Sequence, residues 1–170
     1  MFRIELTNEQ SLLTVDEAQL RAAVEAILAG EGIPAATISI AVVDDATIHR
    51  INREFLQHDY PTDVISFVLD HTPDLLEGEI VVSAQTAIQQ AEQYGWPASN
   101  ELLLYVIHGA LHLVGYDDLS PLDLREMRSR EQHYLALWGL EAKYADETFP
   151  ASADNSATLP EPILQGGRRS

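Results

Sequence analysis

Two histidines and an aspartate near the end of one apolar stretch have the residue types and spacing of a metal site. His108 and His112 are four residues apart and follow the apolar run 102–107, so in a helix their side chains lie on the same face. Gly115 lets the helix end and the chain reverse, and Asp118 follows three residues later. Two imidazoles and a carboxylate are three protein ligands for a divalent transition metal, with a fourth position open to water.

The alternative for the two histidines is a structural role inside the core. A buried polar group without a partner costs about 1–3 kcal/mol, and the neighbouring Leu111 and Leu113 offer no partner. A metal ion would satisfy both rings at once, which favours the metal site. Gly109 lies between the histidines, where glycine costs about 1 kcal/mol relative to alanine in a helix. We therefore expect another part of the chain to approach closely there.

The composition predicts one domain and a tail. Residues 1–144 of the 170 have a globular composition, and residues 145–170, rich in Pro, Ala, Ser, Thr and Glu, predict a disordered tail. The absence of cysteine excludes disulfides and thiolate ligands. The N-terminus lacks the pattern of a signal peptide, and no window reaches the ~20 apolar residues of a membrane span. We expect a soluble, cytoplasmic protein that does not bind membranes.

The formal charge of −17 argues against binding to nucleic acid, because a strongly acidic chain repels phosphate backbones. The positive charges are unevenly distributed, and Arg125, Arg128 and Arg130 cluster just after the metal motif. They either pair with Glu126 and Glu131 on solvated helix faces or form a phosphate-binding patch.

The hydrophobic pattern predicts alternating strands and helices around a single sheet layer, in an α+β or α/β fold. Predicted strands cover residues 2–6, 37–43, 64–68 and 79–82. Predicted helices begin at a Thr14–Glu17 capping box, at Asp44-Asp45, at Ser83, at Ser99-Asn100 (the helix carrying the histidines) and at Ser120-Pro121.

Three ordered segments resemble the YbeY family of bacterial metal-dependent endoribonucleases. They are the run from His108 to Asp117 (HGALHLVGYD), residues 51–67 (INREF, then DYPTDVISF) and residues 78–83 (GEIVVS). The resemblance implies an α+β fold with a mixed four-stranded sheet and one zinc ion per chain. It also implies single-strand-specific RNA cleavage in small-subunit ribosomal RNA maturation and ribosome quality control, with rRNA, the ribosome or ribosomal proteins as partners.

The sequence departs from the family pattern at two places. The third ligand is usually histidine in the family and is Asp118 here, while Asp117 is a competing ligand. Two histidines and a carboxylate also bind non-haem iron, so another divalent transition metal remains an alternative to zinc. Leu56 replaces an arginine of the family, and His58 replaces a lysine. Arg53, one turn earlier, is the candidate substitute for that arginine.

The resulting hypothesis is metal-assisted phosphodiester hydrolysis, with Asp117 orienting an imidazole and Arg53 supporting the reaction. By resemblance, Thr62, Asp63 and Ser66 line the substrate cleft, although Thr62 and Asp63 are also typical of a turn after Pro61.

Two other functions remain open at this point. A metzincin-like zinc peptidase has similar ligand spacing but requires a glutamate as general base after the first histidine, where this chain has Gly109. A ribosome-associated maturation factor that binds rRNA or ribosomal proteins without cutting would fit both the acidic charge and Leu56.

Overall fold

The computed structural model describes residues 1–144 and 164–165 of the chain. The strands are β1 (Phe2–Asn8), β2 (Ala36–Val43), β3 (Val64–His71), β4 (Leu76–Ser83) and the two-residue β5 (Leu164–Gln165). The helices are α1 (Glu17–Gly30), α2 (Asp45–Leu56), α3 (Ala84–Tyr94), α4 (Ala98–Leu113) and α5 (Pro121–Leu135), which continues into a 3-10 turn, Ala136–Trp138. The predicted disordered tail, residues 145–170, lies outside the described residues apart from β5.

The four longer strands form a mixed sheet in the order β1-β2-β4-β3. β1, β2 and β4 run parallel, whereas β3 pairs antiparallel to β4. β5 adds a short antiparallel pairing to Ile65 and Ser66 on β3. The expected α+β fold with a mixed four-stranded sheet is confirmed, with β5 as a short addition.

The two faces of the sheet are covered unequally, because successive strand residues point to opposite faces. Ile80 and Val64 point to the larger core, which contains the apolar sides of α1, α4 and α5. Ile65 and Val81 point to a smaller core on the other face, which α2 covers with Ile48 and Leu56. α4 and α2 therefore lie on opposite faces of the sheet.

Two helix starts differ from the prediction. α1 begins at Glu17, and its N-cap is Asp16, whose carboxylate accepts the N–H of Gln19, so the Thr14 capping box is not used. α4 begins at Ala98 after Pro97 without a side-chain cap, rather than at Ser99-Asn100. All residues of α4 from Glu101 to Leu113 are buried, so tertiary packing fixes this helix without a strong local start signal.

Gly109 marks the place where α4 contacts the sheet. A Cβ atom there would lie 2.7 Å from Ile80 Cγ2, closer than Cβ atoms pack, and 3.0 Å from Ser66 Oγ, which is a tight contact. The Ser66 hydroxyl also donates a hydrogen bond to the Gly109 carbonyl at 3.0 Å. The expected close approach at Gly109 is confirmed, and β3 and β4 are what approaches. This contact fixes the depth of α4, and with it the position of the neighbouring His108.

Candidate metal centre

The end of α4 brings the two predicted histidines together in the interior. His108 is fully buried and His112 is 2 % exposed, and their Nε2 atoms lie 3.0 Å apart. After α4, Gly115 adopts a φ of +110°, which L side chains rarely reach. The chain then reverses, and the Tyr116 N–H bonds back to the Leu111 carbonyl.

The reversed loop carries Asp118 to the histidine pair. Its Oδ2 lies 3.4 Å from His108 Nε2 and 3.6 Å from His112 Nε2, and its side chain is 13 % exposed. Within the described residues, His108, His112 and Asp118 form a group whose ligand atoms all lie within 4.8 Å of one another, close enough to hold one metal ion. For bonds of about 2.1 Å, adjacent ligands of a tetrahedral zinc ion lie about 3.4 Å apart. The three separations in the structure are close to that value.

The other ring nitrogens show which atoms face the centre. His112 Nδ1 lies 2.9 Å from the Tyr116 carbonyl oxygen, which can only accept, so Nδ1 carries the proton and donates it. His108 Nδ1 lies 2.6 Å from Oε2 of the buried Glu131. Both rings therefore direct Nε2 at the centre, in the arrangement that outer partners usually impose on metal-binding histidines. With both rings neutral, two bare nitrogens and a carboxylate oxygen would face one another, and a metal ion or a proton between them would relieve their repulsion.

The electrostatics of the centre favour such a charge. Burial lowers the pKa of His108, but hydrogen bonds and charges from Asp118 and Glu131 outweigh burial and raise it to about 9. Burial raises the pKa of Asp118, yet hydrogen bonds to the two imidazoles hold it well below its usual range. In the metal-free protein a proton thus takes the place of the cation, and the residues fit a divalent metal ion.

The remaining predicted site residues lie elsewhere. Asp117 accepts the N–H of Asp118 at 2.8 Å, so Glu131 and the Tyr116 carbonyl, rather than Asp117, orient the imidazoles. Arg53 is exposed in the last turn of α2, on the opposite face of the sheet from α4. Leu56 is buried in the smaller core beneath α2, which gives this position a packing role.

The proposed cleft residues lie around the start of β3: Thr62 and Asp63 precede it, and Ser66 is its third residue. Ser66 is buried and bonds to Gly109, as described above. Asp63 is 7 % exposed, and its carboxylate accepts the Val64 N–H at 2.8 Å. Thr62 is half-buried, and its hydroxyl donates to the Asp63 carboxylate. Asp63 and Ser66 therefore have structural contacts in addition to any contact with a substrate.

Two arginines of the cluster, Arg128 and Arg130, form ion pairs within the protein, while Arg125 is exposed. Arg128 Nη1 lies 3.3 Å from Glu131, and Arg130 Nη2 lies 2.5 Å from Glu31. Of the two alternatives for this cluster, pairing with a glutamate is found for Arg128 and Glu131, but Glu131 does not lie on a solvated helix face, because its side chain is fully buried. The missed signal is its position within the apolar stripe of α5, four residues after Met127 and four before Leu135, where a carboxylate needs a specific partner.

Together, the fold and the site define a class of protein: an α+β domain in which two histidines and a carboxylate that could hold a metal ion converge at the end of a buried helix. The family model described as Endoribonuclease YbeY matches residues 5–139, and the chain belongs to this family.

Relatives and a solved structure agree with this assignment. The chain is 46% identical to "Endoribonuclease YbeY" of Rhodopirellula baltica over 166 residues, covering 91% of this chain and 84% of the relative. The chain is 40% identical to the protein of the same name from Carboxydothermus hydrogenoformans, over 81% of this chain and 98% of that relative. The fold is similar to the solution structure of TM1509 from Thermotoga maritima, with a TM-score of 0.58 and 29% identity over 82% of this chain and 90% of that one. These relationships support a ribonuclease function.

In the described part of the chain, no helix combines the length and apolar character needed to cross a bilayer.

Proposed function

We propose that this protein is a single-strand-specific, metal-dependent endoribonuclease that acts in the maturation of small-subunit ribosomal RNA. The observation that carries the proposal is the convergence of His108 Nε2, His112 Nε2 and Asp118 Oδ2 within 3.0–3.6 Å of one another. The names of the relatives supply the substrate class, RNA. An rRNA substrate would place the protein in the cytoplasm, with the ribosome or its proteins as partners.

Zinc, one ion per chain, is the metal we propose, held by His108, His112 and Asp118. A divalent ion bound there supplies Lewis-acid polarisation of a phosphoryl oxygen and lowers the pKa of water. Glu131 and the Tyr116 carbonyl fix the orientation of the two rings. Asp118 adds a negative charge that a histidine ligand would not, so the centre has less net positive charge and acidifies water less strongly. Iron(II) suits the same ligand set and is the alternative to test beside zinc.

Substrate contacts by Thr62, Asp63 and Ser66 and support from Arg53 remain predictions. The burial of Leu56 favours one alternative, a ribosome-associated factor that binds without cutting, because the position at which the family has arginine has no charge here. The peptidase alternative lacks support. A glutamate in place of Gly109 would need a Cβ where Ile80 Cγ2 lies 2.7 Å away, so the general base of such peptidases does not fit.

The test is cleavage of an unstructured RNA by the full chain loaded with zinc, compared with the chelated protein and with His112→Ala. We expect chelation to abolish cleavage and His112→Ala to reduce it at least ~100-fold. Substitution of a residue that only hydrogen-bonds to a metal ligand already lowers metal affinity or activity by about 10–100-fold. His71→Ala, at an exposed histidine, is the matched control and should cleave like the unaltered protein.

Cleavage that survives both chelation and His112→Ala would show that the nuclease activity does not depend on this centre. Loss of cleavage with normal rRNA processing in cells that carry only His112→Ala would favour the binding factor. Elemental analysis of the native protein distinguishes zinc from iron.

A further inference from the structure

Glu131 is a buried carboxylate whose two oxygens have different partners. Oε2 accepts from His108 Nδ1 at 2.6 Å, while Oε1 accepts from the Tyr144 hydroxyl at 2.7 Å and lies 3.3 Å from Arg128 Nη1. The Glu131 side chain is fully buried, where a carboxylate oxygen without a hydrogen-bond partner is costly. The contact to His108 therefore depends on the groups that hold Oε1.

Tyr144 reaches Glu131 through a segment that folds back along α5. Gly139 has a φ of +69° after the 3-10 turn and lets the chain reverse. Residues 140–144, which we call the C-terminal strap, are then tied to Gln132. Its Nε2 donates to the Leu140 carbonyl, and its Oε1 accepts the Ala142 N–H, both at 2.9 Å.

The ring of Tyr144 makes a second contact in the same place. The guanidinium carbon of Arg128 lies 4.3 Å from its centroid, a cation–π distance. One aromatic side chain thus holds the carboxylate through its hydroxyl and the arginine through its ring. The strap lies beyond residue 139, where the match to the family model ends.

We propose that Tyr144 is a positioning residue of the metal centre: through Glu131 it fixes the His108 ring so that Nε2 points at the ion. This rests on the proposed metal site. If the hydroxyl is lost, Oε1 loses its shorter contact, that of 2.7 Å to Tyr144, while the 3.3 Å contact to Arg128 stays, and Glu131 gains freedom to turn away from Nδ1. His108 then loses the partner that sets its orientation, although no ligand has been changed.

The main experiment measures the zinc affinity of the full chain by competition with a chromophoric chelator. Tyr144→Phe removes the hydroxyl but keeps the ring over Arg128, and we expect binding to weaken about tenfold, the lower end of the range for partners beyond the ligands. Glu131→Gln should weaken binding by about 10–100-fold for the same reason. Tyr94→Phe, at the end of α3, is the matched control and should bind like the unaltered protein.

A second measurement does not require metal. Exchange of the His108 Nδ1 proton with water, followed by NMR in the metal-free protein, should be several-fold faster in Tyr144→Phe, whereas the thermal midpoint should shift no more than in Tyr94→Phe. A purely structural role would instead lower the midpoint and leave the exchange unchanged.

Zinc affinity within twofold of the unaltered protein, together with unchanged proton exchange, would overturn the proposal. If the unaltered protein binds no zinc, the metal site itself is wrong, and the exchange rate of the His108 proton alone decides whether Tyr144 positions this ring.

Discussion

Two polar clusters lie near each other around α5, and they differ in whether protein atoms satisfy them. In the first, Glu31 accepts hydrogen bonds from Tyr116 at 2.7 Å, Tyr134 at 2.6 Å and Arg130 at 2.5 Å. The negative charge of Glu31 is paired with the positive charge of Arg130. The metal centre instead directs two ring nitrogens and a carboxylate oxygen at one another. The first cluster pairs its carboxylate and its guanidinium within the protein, whereas the second has ligand atoms close enough together to hold a cation.

One residue joins the two clusters. The Tyr116 hydroxyl donates to Glu31, while its carbonyl oxygen accepts from His112. The loop that presents Asp118 is therefore anchored on α1 as well as on α4. Burial and charge alone do not mark a functional site, because both clusters have them. The distinguishing feature is a surplus of acceptors that face each other.

The largest effect should come from Asp118→Asn, which leaves the shape of the centre but removes its charge. We expect zinc affinity to fall at least ~100-fold, more than for changes beyond the ligands. The increase in thermal midpoint that zinc gives the unaltered protein should disappear with it. Chelator competition and thermal unfolding with and without zinc measure both. Asp74→Asn, at an exposed aspartate between β3 and β4, is the control, and retained affinity in Asp118→Asn would remove Asp118 from the ligand set.

Glu31→Gln should lower folding stability without changing zinc affinity, the opposite of the effect of Asp118→Asn. An amide cannot accept from three donors as a carboxylate does, and one of its own N–H groups would face them. We expect the free energy of unfolding to fall by about 1–3 kcal/mol, with zinc affinity unchanged within twofold. Urea unfolding measures the first, and Glu25→Gln, exposed on the same helix, is the control.

The pH dependence of the Glu31→Gln effect tests its cause. Burial raises the pKa of Glu31, but hydrogen bonds from Tyr134, Tyr116 and Arg130 outweigh burial and hold the pKa below the usual 4.5. A lowered folded-state pKa means that Glu31 contributes its stability above pH 4.5 and loses it as the pH falls further. The difference in unfolding free energy between the unaltered protein and Glu31→Gln should therefore shrink below pH 4.5. A difference that is constant down to pH 3 would assign the effect to packing.

The sequence predicted the parts of the site that depend on local spacing. His108 and His112 share a helix face, and Asp118 returns after a single turn, so their proximity follows from helix geometry and a glycine. Gly109 likewise indicated a close contact, although not its partner. The strands and the order of elements followed from apolar alternation in the same way.

The residues that orient the two histidines could not be predicted from the sequence, because they come from distant parts of the chain. Glu131 is 23 residues from His108, and Glu31 is 99 residues from Arg130. Only the packing of α5 against α4 and α1 brings these charges together. Glu131 had a local signal, an acid in an apolar stripe, but nothing in its neighbourhood identified a histidine as the partner.

The smallest predicted effect concerns Ser66, a residue that contacts the helix of the metal centre but is expected to act on folding stability. Its hydroxyl is buried and donates to the Gly109 carbonyl, next to the proposed ligand His108, and Ser66 was also predicted to contact substrate. Ser66→Ala should lower the free energy of unfolding by about 0.5–1.5 kcal/mol, the usual net contribution of one hydrogen bond. Zinc affinity and the KM for RNA should stay within twofold. Ser39→Ala, on strand β2 of the same sheet, is the control for the loss of a strand hydroxyl. A rise in KM at unchanged stability would instead show that the hydroxyl contacts RNA, because a helix-to-sheet contact acts on folding and not on substrate binding.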